Sequence, residues 1–281
     1  MTQAEAPNYG KAGRNLPAAT AVGVSLIAVL VVSLFVIPAL FSVLVALAMV
    51  LAVRELFTAA VKGASQRLSV TTQIAAVALI AAAATGDVVW VLAAFVGGVV
   101  AILSVRLLDG QEAYVHHVTR SIFALAYAPL LASFAVLLST QDNGAWKVLT
   151  FVLLTAGSDL GGYITGALFG KHPLAPKISP KKSWEGLFGA LILQIAVGAY
   201  VFPAHLGLAW WQGVVVGIVM TLTAVTGDLI ESMIKRDLGI KDMGTLLPGH
   251  GGAMDRLDAL LINAFVAWVA FAILLGTTAA S

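Results

Sequence analysis

The segment from Gly227 to Asp258 reads GDLIESMIKRDLGIKDMGTLLPGHGGAMDRLD and concentrates charge between two apolar stretches. It holds six carboxylates, four basic side chains, one histidine and six glycines. Only 11% of the 281 residues in the whole chain are charged. Because charge is costly at or inside a bilayer, an ionisable cluster in such a setting is typical of a functional site. The rest of the chain is predicted to be the membrane scaffold that holds this segment.

The composition excludes several classes of protein. Hydrophobic residues make up 60% of the chain, more than a soluble core of this size needs. There is no cysteine, which excludes disulfides and thiolate metal sites. The net charge of +2 is too small to indicate a nucleic-acid partner.

Apolar segments of sufficient length recur along the whole chain. A transmembrane helix needs about 20 mainly apolar residues. Nine segments meet this requirement, and short turns separate most of them. We therefore predict an all-α, polytopic integral membrane protein of about nine transmembrane helices. The predicted spans are 17–36, 39–60, 70–86, 88–107, 118–138, 146–169, 186–203, 208–234 and 258–276.

The basic residues predict the orientation of these spans. With the N-terminus inside, 15 of the 16 Lys and Arg residues fall on the cytoplasmic side, and only Lys147 lies outside. The C-terminus is then outside, and the long, charged loops face the cytoplasm. The predicted parts are a cytoplasmic tail (1–16), a transmembrane scaffold of about five helices (17–145) and a catalytic transmembrane region (146–281) with cytoplasmic loops 170–185 and 235–257.

The end of the eighth span carries several polar residues on one helical face. Asp228, Ser232 and Lys235 are spaced i, i+4 and i+7, and Glu231 lies beside them. One interpretation is a salt bridge from Asp228 to Lys235 or Arg236 that merely ends the helix. The other is that Asp228 binds a divalent cation.

The glycine-rich turn before the ninth span favours the cation. Asp255 and Asp258 follow this turn at i and i+3, and we expect them in the first turn of one helix. The helix dipole alone would favour either carboxylate there. Two such carboxylates facing Asp228 would form an all-oxygen site of the kind that suits Mg²⁺.

Basic residues are interleaved with these carboxylates, namely Lys235, Arg236, Lys241 and Arg256. They suit the binding of phosphate groups, although anchoring to anionic lipids would also explain them. His250 is a general acid, a phosphate donor or a loop histidine, and the residues do not separate these roles.

A second polar patch follows the sixth span. Asp159 lies within the span, and the loop FGKHPLAPKISPKKSWEG (Phe169–Gly186) adds four lysines. Three prolines keep this loop from being helical and make it stiff. Such a loop would hold a polyphosphate or a lipid phosphate, or would simply anchor the chain.

These residues together resemble a known family. One pattern resembles the signature of phosphatidate cytidylyltransferases, also called CDP-diglyceride synthases. It reads Ser232-x2-Lys235-Arg236-x4-Lys241-Asp242-x-Gly244-x3-Pro248-x-His250-Gly251-Gly252-x2-Asp255-Arg256-x-Asp258. The loop Phe169–Gly186 and Ser158-Asp159 resemble a second block of that family. The resemblance covers about residues 155–262, whereas the first five spans share only hydropathy and order.

The resemblance implies a Mg²⁺-dependent transfer of CMP from CTP to phosphatidic acid, with CDP-diacylglycerol and pyrophosphate as products. It also implies a homodimer, a second, monovalent cation such as K⁺, and a site at the cytoplasmic face of the cell (inner) membrane. Asp228 and Asp255 would hold the metals, and Asp242, Asp258 and Lys241 would complete the catalytic set. The implied or expected substrate-binding residues are Asp159, Ser179, Lys181, Lys182, Ser232, Lys235, Arg236, His250 and Arg256.

Two other classes of protein fit the sequence less well. A CDP-alcohol phosphatidyltransferase would carry a DG-x2-AR motif, and the only Asp-Gly pair, Asp109-Gly110, continues differently. A cation- or proton-coupled transporter is the main alternative, because paired intramembrane carboxylates are common there. A transporter should, however, spread polar residues through several spans.

Overall fold

The computed structural model describes residues 16–61, 63–244 and 251–275, and its regular structure is almost entirely helical. The elements are α1 (Leu16–Phe35), α2 (Ala39–Ala60), α3 (Gln66–Ala83), α4 (Val88–Leu107), α5 (Tyr114–Leu125), α6 (Leu131–Ser139), α7 (Gly144–Phe169), β1 (Pro173–Ala175), β2 (Ser179–Ser183), α8 (Trp184–Val201), α9 (Trp210–Asp237), a 3₁₀ helix (Met254–Arg256) and α10 (Asp258–Leu275).

The helices have the length and composition of membrane spans. Within the described ranges, eight helical segments are long and apolar enough to cross a bilayer. A π-helical turn, Ala126–Leu130, joins α5 and α6 into one of these segments. The uncharged, 20-residue α1 is a ninth helix. The prediction of an all-α polytopic membrane protein is confirmed, and each of the nine predicted spans contains a helix.

Several helix ends differ from the predicted bounds, and two of these differences have clear local reasons. The third span begins at Gln66 rather than at residue 70, because the hydroxyl of Ser65 caps it by accepting the N–H of Leu68 at 3.2 Å. The seventh span extends past Val201 through a second π-helical turn, Phe202–Leu206, which includes a proline.

The basic loop after α7 forms a β-hairpin, in line with its predicted non-helical character. Strands β1 and β2 pair antiparallel, with Pro173 opposite Ser183. Ser183 also caps α8, its hydroxyl accepting the N–H of Gly186 at 3.1 Å. Glu185 in the first turn of α8 accepts the backbone N–H of Lys171 and His172. These contacts fix the hairpin to the start of α8.

Helices α7, α8, α9 and α10 pack side by side as a unit. A Cβ atom on Gly186 would lie 2.9 Å from the carbonyl oxygen of Gly162, so α7 and α8 approach closely there. The buried side-chain amide of Asn263 donates to Thr155 at 2.9 Å and to the carbonyl of Met220 at 3.1 Å. This amide links α7, α9 and α10 away from their ends.

The orientation of the spans can be tested because the chain contains no cysteine. Asp142 and Lys177 are both exposed and lie in loops that are predicted to face opposite sides. We expect a membrane-impermeant maleimide to label Asp142→Cys in intact cells, and Lys177→Cys only after permeabilisation. The reverse pattern would contradict a cytoplasmic N-terminus with nine spans.

Candidate active site

A cavity of about 380 Å³ lies where α7, α8, α9 and the hairpin meet. Its volume falls within the usual range for small-molecule sites. Five of the predicted site residues line it, coming from three separate elements: Asp159, Ser179, Lys181, Lys182 and Asp228. The two polar patches of the sequence therefore meet in one place.

An ion pair between Lys182 and Asp228 crosses this cavity. Both side chains are largely buried, with 25% and 18% of their surface exposed. One interpretation of the sequence paired Asp228 with Lys235 or Arg236 of its own helix. The structure instead supplies a lysine from the hairpin, because Lys235 is engaged elsewhere.

A second carboxyl group, that of Asp258, lies close enough to Asp228 for the two charges to interact. The close approach depends on Gly227, where a Cβ atom would lie 2.9 Å from the backbone oxygen of Asp258. Two ionised carboxylates at this distance repel each other. The ammonium group of Lys182 offsets part of this repulsion through its ion pair with Asp228.

Asp159 brings α7 into the same electrostatic network. Its carboxyl group interacts with Asp228, Lys182 and Arg256 across the cavity. Arg256 is exposed and belongs to the 3₁₀ helix that precedes α10. The two predicted cytoplasmic loops, 170–185 and 235–257, thus each contribute a basic residue, Lys182 and Arg256, to the electrostatic environment of Asp159.

Lys235 joins two carboxylates beside the cavity. It forms ion pairs with Glu231, one turn earlier on α9, and with Asp255 at 2.9 Å. The exposed fractions of the three side chains are 16% for Lys235, 1% for Glu231 and 6% for Asp255. Lys235, which was expected to bind a substrate phosphate, is therefore part of a buried ion-pair network here.

The carboxylate of Asp255 organises the segment before α10. One oxygen accepts the N–H groups of Met243 and Gly252, at 2.9 and 2.8 Å. Burial alone would raise the pKa of Asp255, but the bonds from Lys235, Gly252 and Met243 hold this pKa below its ordinary value. Asp255 is accordingly a firmly held, ionised carboxylate.

The prediction that Asp255 and Asp258 share the first turn of one helix is wrong. Asp255 lies in the 3₁₀ helix, and α10 begins only at Asp258. Leu257 between them has φ −109° and ψ −6°, which departs from α-helical geometry. The contacts that Asp255 makes with the preceding backbone hold it apart from the axis of α10.

The remaining predicted residues lie away from the cavity lining. Ser232 is half-buried on α9, whereas Arg236, Lys241 and Asp242 are exposed. His250 lies outside the described residues. The described residues contain no group of three or more Asp, Glu or His side chains arranged to hold a metal. The assignment of a metal to Asp228 and Asp255 therefore stays a prediction.

Two acidic residues, Glu231 and Glu55, have no role predicted from the sequence but make buried or partly buried contacts near the site in the structure. Glu231 was placed beside the site without a function, although its carboxyl group is almost fully buried. Glu55, in the predicted scaffold, accepts backbone N–H groups of Ala253 and Met254. The available signal was that Arg54 and Glu55 are the only charged residues in α2, since an ionisable residue in a membrane helix is rarely incidental.

The chain matches the cytidylyltransferase family over residues 17–274. A phosphatidate cytidylyltransferase of Mycobacterium leprae is 40% identical, over 95% of this chain and 91% of that protein. One of Mycobacterium bovis is 37% identical, over 97% of this chain and 93% of that protein. One of Helicobacter pylori is 36% identical, over 62% of this chain and 66% of that protein.

The buried network around Lys235 leads to a stability prediction. Lys235→Met leaves Glu231 and Asp255 without their shared counter-ion, and breaking a buried ion pair in this way costs about 3 to 5 kcal/mol. We expect a clearly lower thermal unfolding midpoint in detergent than for Lys241→Met, because Lys241 is exposed. Equal midpoints for the two variants would show that the network contributes little to stability.

Proposed function

The chain belongs to the cytidylyltransferase family, and on that premise we propose that it transfers CMP from CTP to phosphatidic acid. The products are CDP-diacylglycerol, a precursor in phospholipid biosynthesis, and pyrophosphate. Relatives that align over more than nine-tenths of both chains carry the name phosphatidate cytidylyltransferase. The comparisons give no support to the alternative, a cation- or proton-coupled transporter.

One observation carries the proposal, namely the meeting of a basic hairpin and two helix carboxylates, Asp159 and Asp228, in a single cavity of a membrane protein. Lys181 and Lys182 supply positive charge at the hairpin, and Ser179 supplies a hydroxyl group. Leu174, Leu187, Ala190 and Val225 make other parts of the lining apolar. A lipid substrate with a phosphate head and apolar chains suits such a lining.

The reaction needs no nucleophile from the protein. A phosphate oxygen of phosphatidic acid attacks the α-phosphorus of CTP, and the bond from that phosphorus to the bridging oxygen of the β-phosphate breaks. Pyrophosphate then leaves with the electron pair of that bond. The protein has to align the two phosphates and neutralise their charge. We propose this role for Lys181 and Lys182, which line the cavity.

We propose a Mg²⁺ site at the carboxylates around the cavity. Five carboxylates and three cations take part in the interactions described above, so negative charge is in excess there. Oxygen ligands of this kind are those that Mg²⁺ prefers, and the bound ion would neutralise phosphate charge. Asp228 would hold it with Asp258 beside it. Asp255, the other predicted ligand, already accepts three hydrogen bonds, which leaves room for about one more.

The orientation and assembly of the enzyme are also proposals. The cavity would face the cytoplasm from the cell membrane, because CTP is found there and the charged loops are predicted to lie on that side. A homodimer and a monovalent cation such as K⁺ are implied by the family resemblance alone.

The activity is tested with purified protein in detergent, supplied with phosphatidic acid, Mg²⁺ and each nucleoside triphosphate in turn. We expect pyrophosphate release with CTP that needs the lipid and stops when EDTA removes the metal. The lipid product is identified by mass spectrometry. Folded protein that releases no pyrophosphate with any nucleotide would contradict the proposal.

The role of the hairpin is tested by a matched pair of lysine substitutions. Lys182→Gln removes a charge from the cavity, whereas Lys177→Gln removes one from an exposed position of the same loop that does not line the cavity. We expect Lys182→Gln to lower kcat/KM by about 100-fold, the usual order for losing a group that stabilises developing charge. Lys177→Gln should remain near wild type, and a similar loss in both variants would argue for general loop damage.

A further inference from the structure

Glu55 lies on α2, in the half of the chain that was predicted to be scaffold. It is half-buried, five residues before the end of a span in which Arg54 is the only other charged residue. A carboxylate in such a place needs hydrogen-bond donors, because the hydrocarbon around it offers none. The contacts of Glu55 show which part of the molecule supplies them.

Both carboxylate oxygens of Glu55 accept backbone N–H groups from the other end of the chain. Oε1 accepts from Ala253 and Oε2 from Met254, each at 2.9 Å. These N–H groups lie at the beginning of the 3₁₀ helix, where they have no partner within the helix itself. Hydrogen bonds to a charged acceptor are stronger than those between neutral groups, so this contact is a firm attachment.

The backbone also closes around this carboxylate on other sides. A Cβ atom on Gly244 or on Gly252 would collide with the carboxylate oxygens of Glu55. The side chain of Met254 is completely buried beside it. The segment is therefore shaped to receive Glu55 at one position, which a loose surface contact would not require.

We propose that Glu55 is a positioning residue for nucleotidyl transfer, acting through the 3₁₀ helix Met254–Arg256. Glu55 holds this helix from α2, while Lys235 holds the same helix from α9 through Asp255. The two anchors together set where Asp255 and Arg256 stand relative to the cavity. The inference rests on the proposed function, because its kinetic readout is transfer from CTP.

The kinetic test compares Glu55→Gln and Glu55→Asp with the control Glu112→Gln, which alters an exposed carboxylate outside the site. Glutamine keeps the size of the side chain but turns one acceptor into a donor that faces a backbone N–H. We expect Glu55→Gln to lower kcat/KM for CTP at least about tenfold and to raise the Mg²⁺ concentration needed for half-maximal rate. Glu55→Asp keeps the carboxylate but on a side chain shorter by one methylene. We therefore expect its kcat/KM to lie between those of Glu55→Gln and the wild type.

A double substitution tests the geometry independently of chemistry. Gly252→Ala should lower the activity of the wild-type protein, because the new methyl group displaces the Glu55 carboxylate from its N–H partners. In a Glu55→Ala background the same change should cost much less, since the obstructing group is gone. Additive losses would show that the two positions do not act through this contact.

Hydrogen exchange separates the inference from the proposed function. The amides of Ala253 and Met254 should be protected in wild type and in Glu112→Gln, and should exchange faster in Glu55→Gln. Rapid exchange of these two amides in the wild-type protein would overturn the inference. The inference would also be overturned if Glu55→Gln matched Glu112→Gln in both turnover and hydrogen exchange. A wild-type protein without turnover would instead overturn the proposed function, and the exchange result would still decide whether Glu55 holds the segment.

Discussion

A carboxylate at the edge of a bilayer must be matched by a counter-charge or by hydrogen-bond donors, because lipid supplies neither. The rest of this structure depends on that requirement. Asp228 takes Lys182 from the hairpin, Glu231 and Asp255 share Lys235, and Glu55 takes two backbone N–H groups. Each of these pairings attaches a loop or a short helix to a membrane helix. The same contacts therefore stabilise the fold and position the residues of the site.

The hairpin shows how one such contact links stability to the proposed chemistry. Glu185 and Ser183 attach the hairpin to the start of α8, and Lys182 then reaches across the cavity to Asp228. This lysine is held in place by the opposite charge of Asp228. A substrate phosphate would compete with Asp228 for it, and a cation at the Asp228–Asp258 pair would release it. The ion pair thus ties the hairpin to α9.

The segment before α10 is held from two sides. Lys235 approaches from α9 and Glu55 from α2, and the short 3₁₀ helix lies between them. The first half of the chain therefore does more than surround the site with apolar helices. The predicted boundary at residue 145 separates parts of the sequence whose side chains meet in the folded protein.

The sequence by itself determined the membrane class, the number of helices and most of their bounds. Apolar stretches of about 20 residues have no other stable arrangement in lipid. It also identified the polar residues that meet in the cavity, since charge is conspicuous in so apolar a chain. It did not determine pairing, because a lysine can reach several carboxylates, and Lys182 rather than Lys235 reaches Asp228. Nor did it indicate that Glu55 meets residues 198 and 199 positions away. Only the packing of helices distant in sequence decides such contacts, because local spacing carries no information about them.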